Sequence, residues 1–251
     1  MDEIEMAAQH TEKHSDKLAV LIDADNAPAS IATELLTEIS RYGTASVRRA
    51  YGDWTTPNLK SWKDVLHKLA IQPMQQFSYT VGKNSTDSAL IIDAMDVLHS
   101  GGLDGFCLVS SDSDFTRLAQ RIRESGLKVY GFGEKKTPQP FIAACDKFVF
   151  IEILRTQQTP AAEGEPAHEK LQPMMRAAVD ANARDNGWSA LSSVGSFLVK
   201  NDPSFDPRNY GYQKLSELVR KQSYLEVKEV PATDGSANVH VYVRYKTKIK
   251  S

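Results

Sequence analysis

Carboxylate and amide side chains directly follow two short apolar runs of the sequence. The run LAVLI ends in Asp23, with Asn26 three positions later, and the run FCLVS is followed by Asp112 and Asp114. A further acid, Asp87, begins a segment with helical periodicity. Crowded carboxylates repel one another unless a cation lies among them, and oxygen ligands suit Mg²⁺ or Mn²⁺ better than zinc. These residues therefore predict a Mg²⁺ or Mn²⁺ site, provided that the fold brings them together.

Each of these acids also has an ordinary structural explanation. Aspartate and serine after a strand commonly cap the next helix, so Ser111 or Asp112 could serve only as a cap. Three separate elements that supply acid to one place favour the metal site over capping alone. The six histidines are scattered, and the sequence contains neither a P-loop nor a dinucleotide-binding motif.

The elements around these acids alternate between short apolar runs and helical patterns. The predicted strands are 18–22, 45–51, 71–77, 106–110, 127–132 and 148–153, and the predicted helices are 28–42, 58–70, 86–99 and 114–125. Strands separated by helices predict an α/β fold with a mostly parallel sheet that is covered on both faces. In such sheets ligands bind beyond the carboxyl ends of the strands, where Asp23, Asp112 and Asp114 are expected.

The overall composition excludes several classes of protein. The chain has 251 residues, 41% apolar and 25% charged, with a formal net charge of −2, which is typical of a soluble globular protein. The acidic N-terminus and the short apolar runs indicate neither a signal peptide nor a membrane span. Cys107 and Cys145 lie in apolar segments and are expected to be buried free thiols. We therefore expect a cytoplasmic protein.

The charge distribution and the prolines divide the chain. Residues 1–168 carry a net charge of −6, and residues 169–251 carry +4. We expect a loose tail over 1–16, a first domain over 17–155, a flexible linker over 156–168 and a second domain over 169–251. The linker contains two prolines and has no apolar periodicity.

The ordered motifs of the first domain resemble those of the NYN domain, the LabA-like branch of the PIN-like nucleases. The three motifs are Ile22-Asp23-x-x-Asn26, Lys83-x-x-x-Asp87-x-x-Leu90 and Ser110-x-Asp112-x-Asp114-Phe115. The resemblance covers about 17–154. It implies a Rossmann-like α/β/α sandwich that cleaves RNA phosphodiester bonds with the help of a metal ion.

The same resemblance implies roles for individual residues. The implied metal ligands and catalytic acids are Asp23, Asp87, Asp112 and Asp114. Asn26 would orient Asp23 or contact the scissile phosphate, and Lys83 would contact the RNA backbone. The family often has glycine where this chain has Ser111, so the backbone of this segment is expected to be constrained.

The second domain is predicted to be a winged helix. Helices are expected over 171–183, 189–199 and 209–221, and strands over 225–230 and 239–245 form a hairpin around Asp234-Gly235. The segments NGWSALSSVGSFL (186–198) and FDPRNYGYQKLSEL (205–218) resemble the OST-HTH, or LOTUS, domain over about 169–244. That resemblance implies binding of RNA, structured or G-rich in some members, and docking of protein partners in others.

The start of the third predicted helix mixes cations with aromatic rings. Arg208 and Lys214 could meet phosphates, while Tyr210 and Tyr212 could stack on unpaired bases. The alternative is that the tyrosines partly fill the small core and the cations are merely solvated. We expect the four residues to contact RNA.

Together these observations predict a cytoplasmic metal-dependent ribonuclease, expected to be an endonuclease acting on single-stranded or structured RNA. Its winged helix would recruit the RNA. Two alternatives remain open, a non-catalytic RNA-binding adaptor and a regulator that docks a protein partner through the LOTUS domain.

Overall fold

The first half of the chain is built around one parallel sheet. The computed structural model describes residues 15–77, 85–155, 166–231 and 239–246. The strands are β1 (Lys17–Asp23), β2 (Thr44–Gly52), β3 (Gln72–Gln75), β4 (Gly105–Val109), β5 (Lys128–Gly133) and β6 (Lys147–Phe150). Within the described residues they form a six-stranded sheet in the order β3-β2-β1-β4-β5-β6, and all paired neighbours are parallel. The predicted mostly parallel α/β sheet is confirmed.

This strand order places a topological switch point at the centre of the sheet. The chain starts at β1, proceeds outward through β2 and β3, and then returns to add β4 on the other side of β1. The connections that leave β1 and β4 therefore diverge, and they open a crevice at the carboxyl ends of these two strands. The acids that follow LAVLI and FCLVS lie at this crevice.

Helices cover both faces of the sheet because the buried strands are apolar on both sides. Leu18, Val20 and Ile22 of β1 pack into one core cluster, and the alternating Ala19 and Leu21 pack into the other. The helices of the first cluster are α1 (Ala32–Ile39), α2 (Trp62–Lys68) and α6 (Glu152–Arg155). Those of the second are α3 (Ser85–Ser100), α4 (Thr116–Glu124) and α5 (Gln139–Ala144).

The second half of the chain forms a small winged helix. Its elements are α7 (Pro166–Ala181), β7 (Ser189–Ala190), α8 (Leu191–Asn201), α9 (Leu215–Lys221), β8 (Leu225–Pro231) and β9 (Val239–Tyr245). The strands form an antiparallel sheet in the order β7-β9-β8, and the helices enclose a core that includes Met175, Val194 and Val243. Three helices with a wing agree with the predicted architecture.

Two of the predicted boundaries can be compared only in part. Residues 1–14 of the expected tail and 156–165 of the expected linker lie outside the described residues, as does the hairpin turn at Asp234-Gly235. Helix α7 begins at Pro166, so the last three residues of the expected linker are helical. Among the helices of the described residues, none has the length and apolar character needed to cross a membrane.

The prediction of one continuous helix over 209–221 was wrong. A short 3-10 turn spans Pro207–Tyr210, and its first turn is capped by the Asp206 side chain, which accepts from the Arg208 amide at 3.0 Å. Gly211 then adopts the left-handed conformation, with φ of 82°, which ends the turn. The α-helix starts only at Leu215, so the cations and tyrosines of this segment do not share one helical face.

Candidate metal centre

The end of β1 holds a buried carboxylate in a fixed orientation. Asp23 is fully buried, and its Oδ2 accepts hydrogen bonds from Asn26 Nδ2 and Ser110 Oγ, both at 2.7 Å. The backbone turns sharply here, because the amide of Ala27 donates to the Asp23 carbonyl at 2.9 Å. Burial raises the pKa of Asp23, and the two side-chain donors only partly oppose that rise. Asn26 thus orients Asp23 in the structure.

The end of β4 presents two more acids on a short turn. Ser110 Oγ accepts from the Asp112 amide at 3.1 Å, and Asp112 Oδ1 accepts from the Asp114 amide at 2.9 Å. Asp112 therefore does cap the 3-10 turn Ser113–Phe115, as the capping explanation expected. Phe115 is buried and anchors the turn in the core, so Asp112 and the exposed Asp114 are held at the mouth of the crevice.

Ser111 does not strain this turn. Its φ is not positive, since Ala70 is the non-glycine residue with positive φ in the described part of the chain. The Ser111 hydroxyl accepts from the Glu134 amide at 2.9 Å, which ties the β4 turn to the end of β5. Ser111 thus adopts a φ that non-glycine residues tolerate, and the expected constraint on this segment stays a prediction.

The first turn of α3 brings Asp87 to the same place. Asp87, Asp112 and Asp114 each offer a carboxylate oxygen, and these three atoms lie within 4.8 Å of one another. The pKa of Asp87 is raised to about 6, mainly by burial and then by the negative charges of Asp23, Asp112, Asp114 and Asp25. We call Asp23, Asp87, Asp112 and Asp114 the acidic edge.

The donor chemistry of the acidic edge fits a hard divalent cation. Its ligand atoms are all carboxylate oxygens, which Mg²⁺ and Mn²⁺ prefer, whereas zinc favours histidine and cysteine. Burial contributes most to the raised pKa of Asp87, and the charges of the neighbouring acids add a repulsion that a cation would relieve. Asp23 is not one of the three grouped acids, but its charge still raises the Asp87 pKa.

One feature of this edge was missed from the sequence. Thr86 is buried, and its hydroxyl donates to Asp25 Oδ2 at 3.0 Å, which joins the start of α3 to the turn after β1. Thr86 precedes Asp87 directly, so this contact fixes the helix end that carries the acid. A threonine beside an acid is too common a pair to have signalled this role. Lys83, the predicted contact of the RNA backbone, lies outside the described residues.

The structure places Arg208 in a contact between the two halves of the chain. Its guanidinium donates to both carboxylate oxygens of Glu38, at 2.9 and 2.8 Å, and to Asp206 at 2.9 and 2.8 Å. Side-chain exposure is only 16% for Arg208 and 4% for Glu38. The guanidinium is therefore engaged by two carboxylates, and it is not presented to a phosphate. Contact between Arg208 and RNA stays a prediction, and the pairing of Arg208 with two carboxylates argues against it.

Further bonds between the halves surround this ion pair. The amide of Phe148, in the edge strand β6, donates to the Pro203 carbonyl at 2.9 Å, and Lys147 Nζ donates to the Phe205 carbonyl at 2.6 Å. Lys147 Nζ also lies 3.5 Å from Asp206. The second half thus packs against β6, the strand at the edge of the parallel sheet. Glu38 lies on the apolar face of α1, where a charged residue is unusual. This position was the feature of the sequence from which a buried ionic contact could have been predicted.

The pKa values in this contact reflect the pairing. Burial alone would raise the pKa of Glu38, but the hydrogen bonds and charge of Arg208 outweigh burial, so the pKa lies below its usual range. The pKa of Asp206 is lowered for the same reason, with Lys147 contributing. Burial lowers the pKa of Lys147, and Asp206 opposes that shift. Both carboxyls are therefore ionised at neutral pH and hold the two halves together.

The remaining predicted RNA contacts have separate surroundings. Tyr210 is 8% exposed and packs against Phe205 at a ring distance of 5.9 Å, and Tyr212 is partly buried against the same core. The core-filling alternative thus describes Tyr210 well. Lys214 is exposed and lines a surface groove beside α8. Contacts of Tyr212 and Lys214 with RNA stay predictions.

Comparison with known protein families matches both halves of the chain. The sequence model of the NYN domain matches residues 17–152, and that of the OST-HTH/LOTUS domain matches residues 165–236. No curated protein matches the chain.

Three solved structures are similar to parts of the chain. A crystal structure of a Vibrio parahaemolyticus protein of unknown function is 22% identical, with a TM-score of 0.48, and the match covers 55% of this chain and 94% of that one. A solution NMR structure from Chromobacterium violaceum is 45% identical, with a TM-score of 0.26, over 35% of this chain and 87% of that one. A solution NMR structure of an uncharacterized Nitrosomonas europaea protein is 31% identical, with a TM-score of 0.28, over 37% and 89%.

Proposed function

Because the chain belongs to the NYN domain family and carries a C-terminal OST-HTH/LOTUS domain, we propose that it is a metal-dependent ribonuclease that hydrolyses RNA phosphodiester bonds. The observation that carries the proposal is the grouping of Asp87, Asp112 and Asp114 within 4.8 Å at the switch point of the sheet. The proposed cofactor is Mg²⁺ or Mn²⁺, held by these three acids with Asp23 beside them. The free, buried Cys107 and Cys145 support a cytoplasmic location as part of the same proposal.

Rigid supports hold the proposed ligands in place. Ser110 contacts both sides of the crevice, because its hydroxyl donates to Asp23 and accepts from the Asp112 amide. Asn26 Nδ2 donates to the same Oδ2 of Asp23, and the Asn26 amide donates to Oδ1 at 3.3 Å, so both carboxylate oxygens are held. When bound between such ligands, a divalent ion lowers the pKa of attacking water and stabilises charge on the leaving oxygen. The protein's own contribution is to keep acids from β1, α3 and the β4 turn at a fixed spacing.

The charges of the two halves suit a division of labour. Residues 1–168 carry a net charge of −6, which repels RNA unless cations neutralise the acidic edge, whereas residues 169–251 carry +4. We propose that the second half recruits the RNA and that the acidic edge cleaves it. Asp114 is exposed at the mouth of the crevice, and we propose that the enzyme cuts within RNA strands.

One observation favours a non-catalytic adaptor instead. Asp112 caps the turn after β4, so its presence has a purely structural explanation as well. A second alternative, docking of a protein partner through the LOTUS domain, also involves no cleavage. Both alternatives predict that the purified chain leaves RNA intact in the presence of any divalent ion.

Cleavage of labelled single-stranded and hairpin RNAs in Mg²⁺, Mn²⁺ or EDTA tests the proposal. We expect products with a metal ion and none in EDTA, and we expect Asp112→Asn to lower the cleavage rate at least about a hundredfold. Asp96→Asn is the matched control, since Asp96 is an exposed acid on α3 away from the acidic edge, and it should leave the rate unchanged. Equal rates in all three proteins would contradict the proposed site, and intact RNA with every metal ion would favour the adaptor.

A further inference from the structure

One side of the antiparallel sheet in the second half faces solvent and is rich in rings and cations. Val243 of β9 is buried in the core, so the alternating Tyr242 and Arg244 point to the opposite side. The strand register places Lys228 of β8 beside Tyr242. We call this side the wing face, and its residues are Arg184, Trp188, Lys228, His240, Tyr242 and Arg244.

Each aromatic ring of the wing face lies against an arginine side chain. The Arg244 guanidinium lies 4.6 Å from the Trp188 ring centroid, and the Arg184 guanidinium lies 5.6 Å from the Tyr242 centroid. Both distances are within the range of cation–π contacts. Trp188, Tyr242 and Arg244 are partly exposed, whereas Arg184 is exposed. Two flat rings and two planar cations are therefore presented on one surface.

The charge of this surface is positive. Arg184, Lys228 and Arg244 carry three positive charges, while Glu226, which accepts from Arg244 at 2.6 Å, is the acid in register beside them. Rings that stack on bases, together with cations that meet phosphates, are the means by which proteins hold single-stranded nucleic acid.

A groove continues from the wing face. It has a volume of about 440 Å³ and runs between α8 and β9. Its polar lining includes His240, Tyr242, Ser192, Ser196 and Lys214, and its aliphatic lining includes Leu191, Leu215, Val239 and Val241. Hydroxyl groups and a lysine are suited to sugar and phosphate oxygens. The polar part of the groove is therefore suited to the backbone of a strand whose bases lie on the wing face.

We propose that the wing face and this groove form the binding site for single-stranded RNA, with bases stacked on Tyr242 and Trp188 and the backbone held by Lys228 and Lys214. This assignment rests on the proposed recruitment of RNA by the second half of the chain. It moves the expected contact from the segment 208–214 to the strands, and it retains only Lys214 of that segment. Arg208 has a different task, since Glu38 and Asp206 hold it in the contact between the two halves.

Fluorescence anisotropy with a labelled, mixed-sequence single-stranded RNA of about 12 nucleotides tests the site. The full chain is used in EDTA, so that binding is measured without cleavage. We expect Tyr242→Thr, which removes the ring and keeps a β-branched strand residue, to weaken binding roughly tenfold or more. Tyr212→Thr, in the segment first expected to bind RNA, should change the affinity less than threefold. Thermal melting checks that both variants are folded.

A charge reversal provides an independent second arm. Lys228→Glu should weaken binding several-fold at low salt and reduce its salt dependence, because a phosphate contact is lost. Lys221→Glu is the matched control, since Lys221 is an exposed lysine at the end of α9, and it should have a much smaller effect.

The outcomes separate the two proposals. If the wild type binds RNA and both Tyr242→Thr and Lys228→Glu bind equally well, the wing face is overturned while RNA recruitment stands. If Tyr212→Thr is the weaker binder, the segment 208–214 replaces the wing face. If the wild type binds no RNA and instead binds a protein partner, both the wing-face site and RNA recruitment are overturned.

Discussion

Replacing Asp87 by asparagine removes one negative charge from the acidic edge and keeps the shape of the side chain. In the metal-free protein this change should stabilise the fold. The pKa of Asp87 is raised from its ordinary value of 3.8 to about 6, mainly by burial and then by the charges of its acidic neighbours. The folded protein therefore holds the Asp87 carboxylate at an energetic cost once that group is ionised.

The size of this cost follows from the pKa. A rise of about two units corresponds to about 3 kcal/mol at a pH where the carboxyl is fully ionised. Asp87 is only partly buried, so screening by solvent reduces the expected gain on substitution to about 1–2 kcal/mol. Because the folded pKa is raised, the stability linked to Asp87 is fully present below pH about 4 and is lost as the pH rises through about 6. The difference between Asp87→Asn and the wild type should thus be present at pH 7.5 and small at pH 4.

Chemical denaturation in EDTA, followed by circular dichroism at both pH values, measures this difference. Asp96→Asn removes a charge from the same helix at an exposed position, and it should change the free energy of unfolding by less than about 0.5 kcal/mol. Adding Mg²⁺ or Mn²⁺ should stabilise the wild type by mass action and should stabilise Asp87→Asn far less. A destabilised Asp87→Asn in EDTA at pH 7.5, or equal stabilisation of both proteins by the ion, would refute the reasoning.

Three further predictions concern the contacts that hold the site and the two halves. Glu38→Gln should lower the free energy of unfolding by about 2–3 kcal/mol, because the poorly exposed Arg208 loses a charged partner. Glu34→Gln, at an exposed position of α1, should lower it little. Urea unfolding measures both variants, and equal losses would contradict the role of Glu38. Because the pKa values of Glu38 and Asp206 are lowered, the stability that these carboxylates contribute is present above the ordinary carboxyl pKa and is lost as the pH falls through the lowered values. Small-angle scattering should therefore show the two halves separating only under acid conditions. Separation between pH 8 and 5 would argue against this linkage. Ser110→Ala removes the hydroxyl that donates to Asp23 at 2.7 Å. It should lower the cleavage rate about tenfold and the free energy of unfolding by about 1–3 kcal/mol. A cleavage rate like that of the wild type would show that Asp23 does not need this hydrogen bond.

The sheet and part of the acidic edge were predictable because local patterns carry them. A continuous apolar run such as β1 is characteristic of a strand that is buried on both faces, and the acid that follows such a run must lie at its carboxyl end. Asp23, Asp112 and Asp114 were placed in this way. Local patterns did not predict that Asp87 lies close to Asp112 and Asp114. That proximity depends on the order of the strands, which apolar patterns leave open.

What could not be predicted depends on contacts between distant parts of the chain. Arg208 and Glu38 are separated by 170 positions, and the residues around neither of them indicate the other as a partner. Arg208 was therefore predicted to contact RNA, whereas the structure pairs it with Glu38 between the two halves. The break of the third helix was missed because the apolar positions after Tyr210 kept a helical spacing, while the left-handed Gly211 ends the turn.

The central claim is that the acidic edge binds a divalent cation. X-ray diffraction from crystals of the full chain soaked in Mn²⁺, with data collected at the manganese absorption edge, tests it most directly. We predict an anomalous peak contacted by the carboxylates of Asp87, Asp112 and Asp114, and its loss from crystals of Asp87→Asn. Manganese bound elsewhere while these three carboxylates bind none, or a peak that persists unchanged in Asp87→Asn, would contradict the assignment.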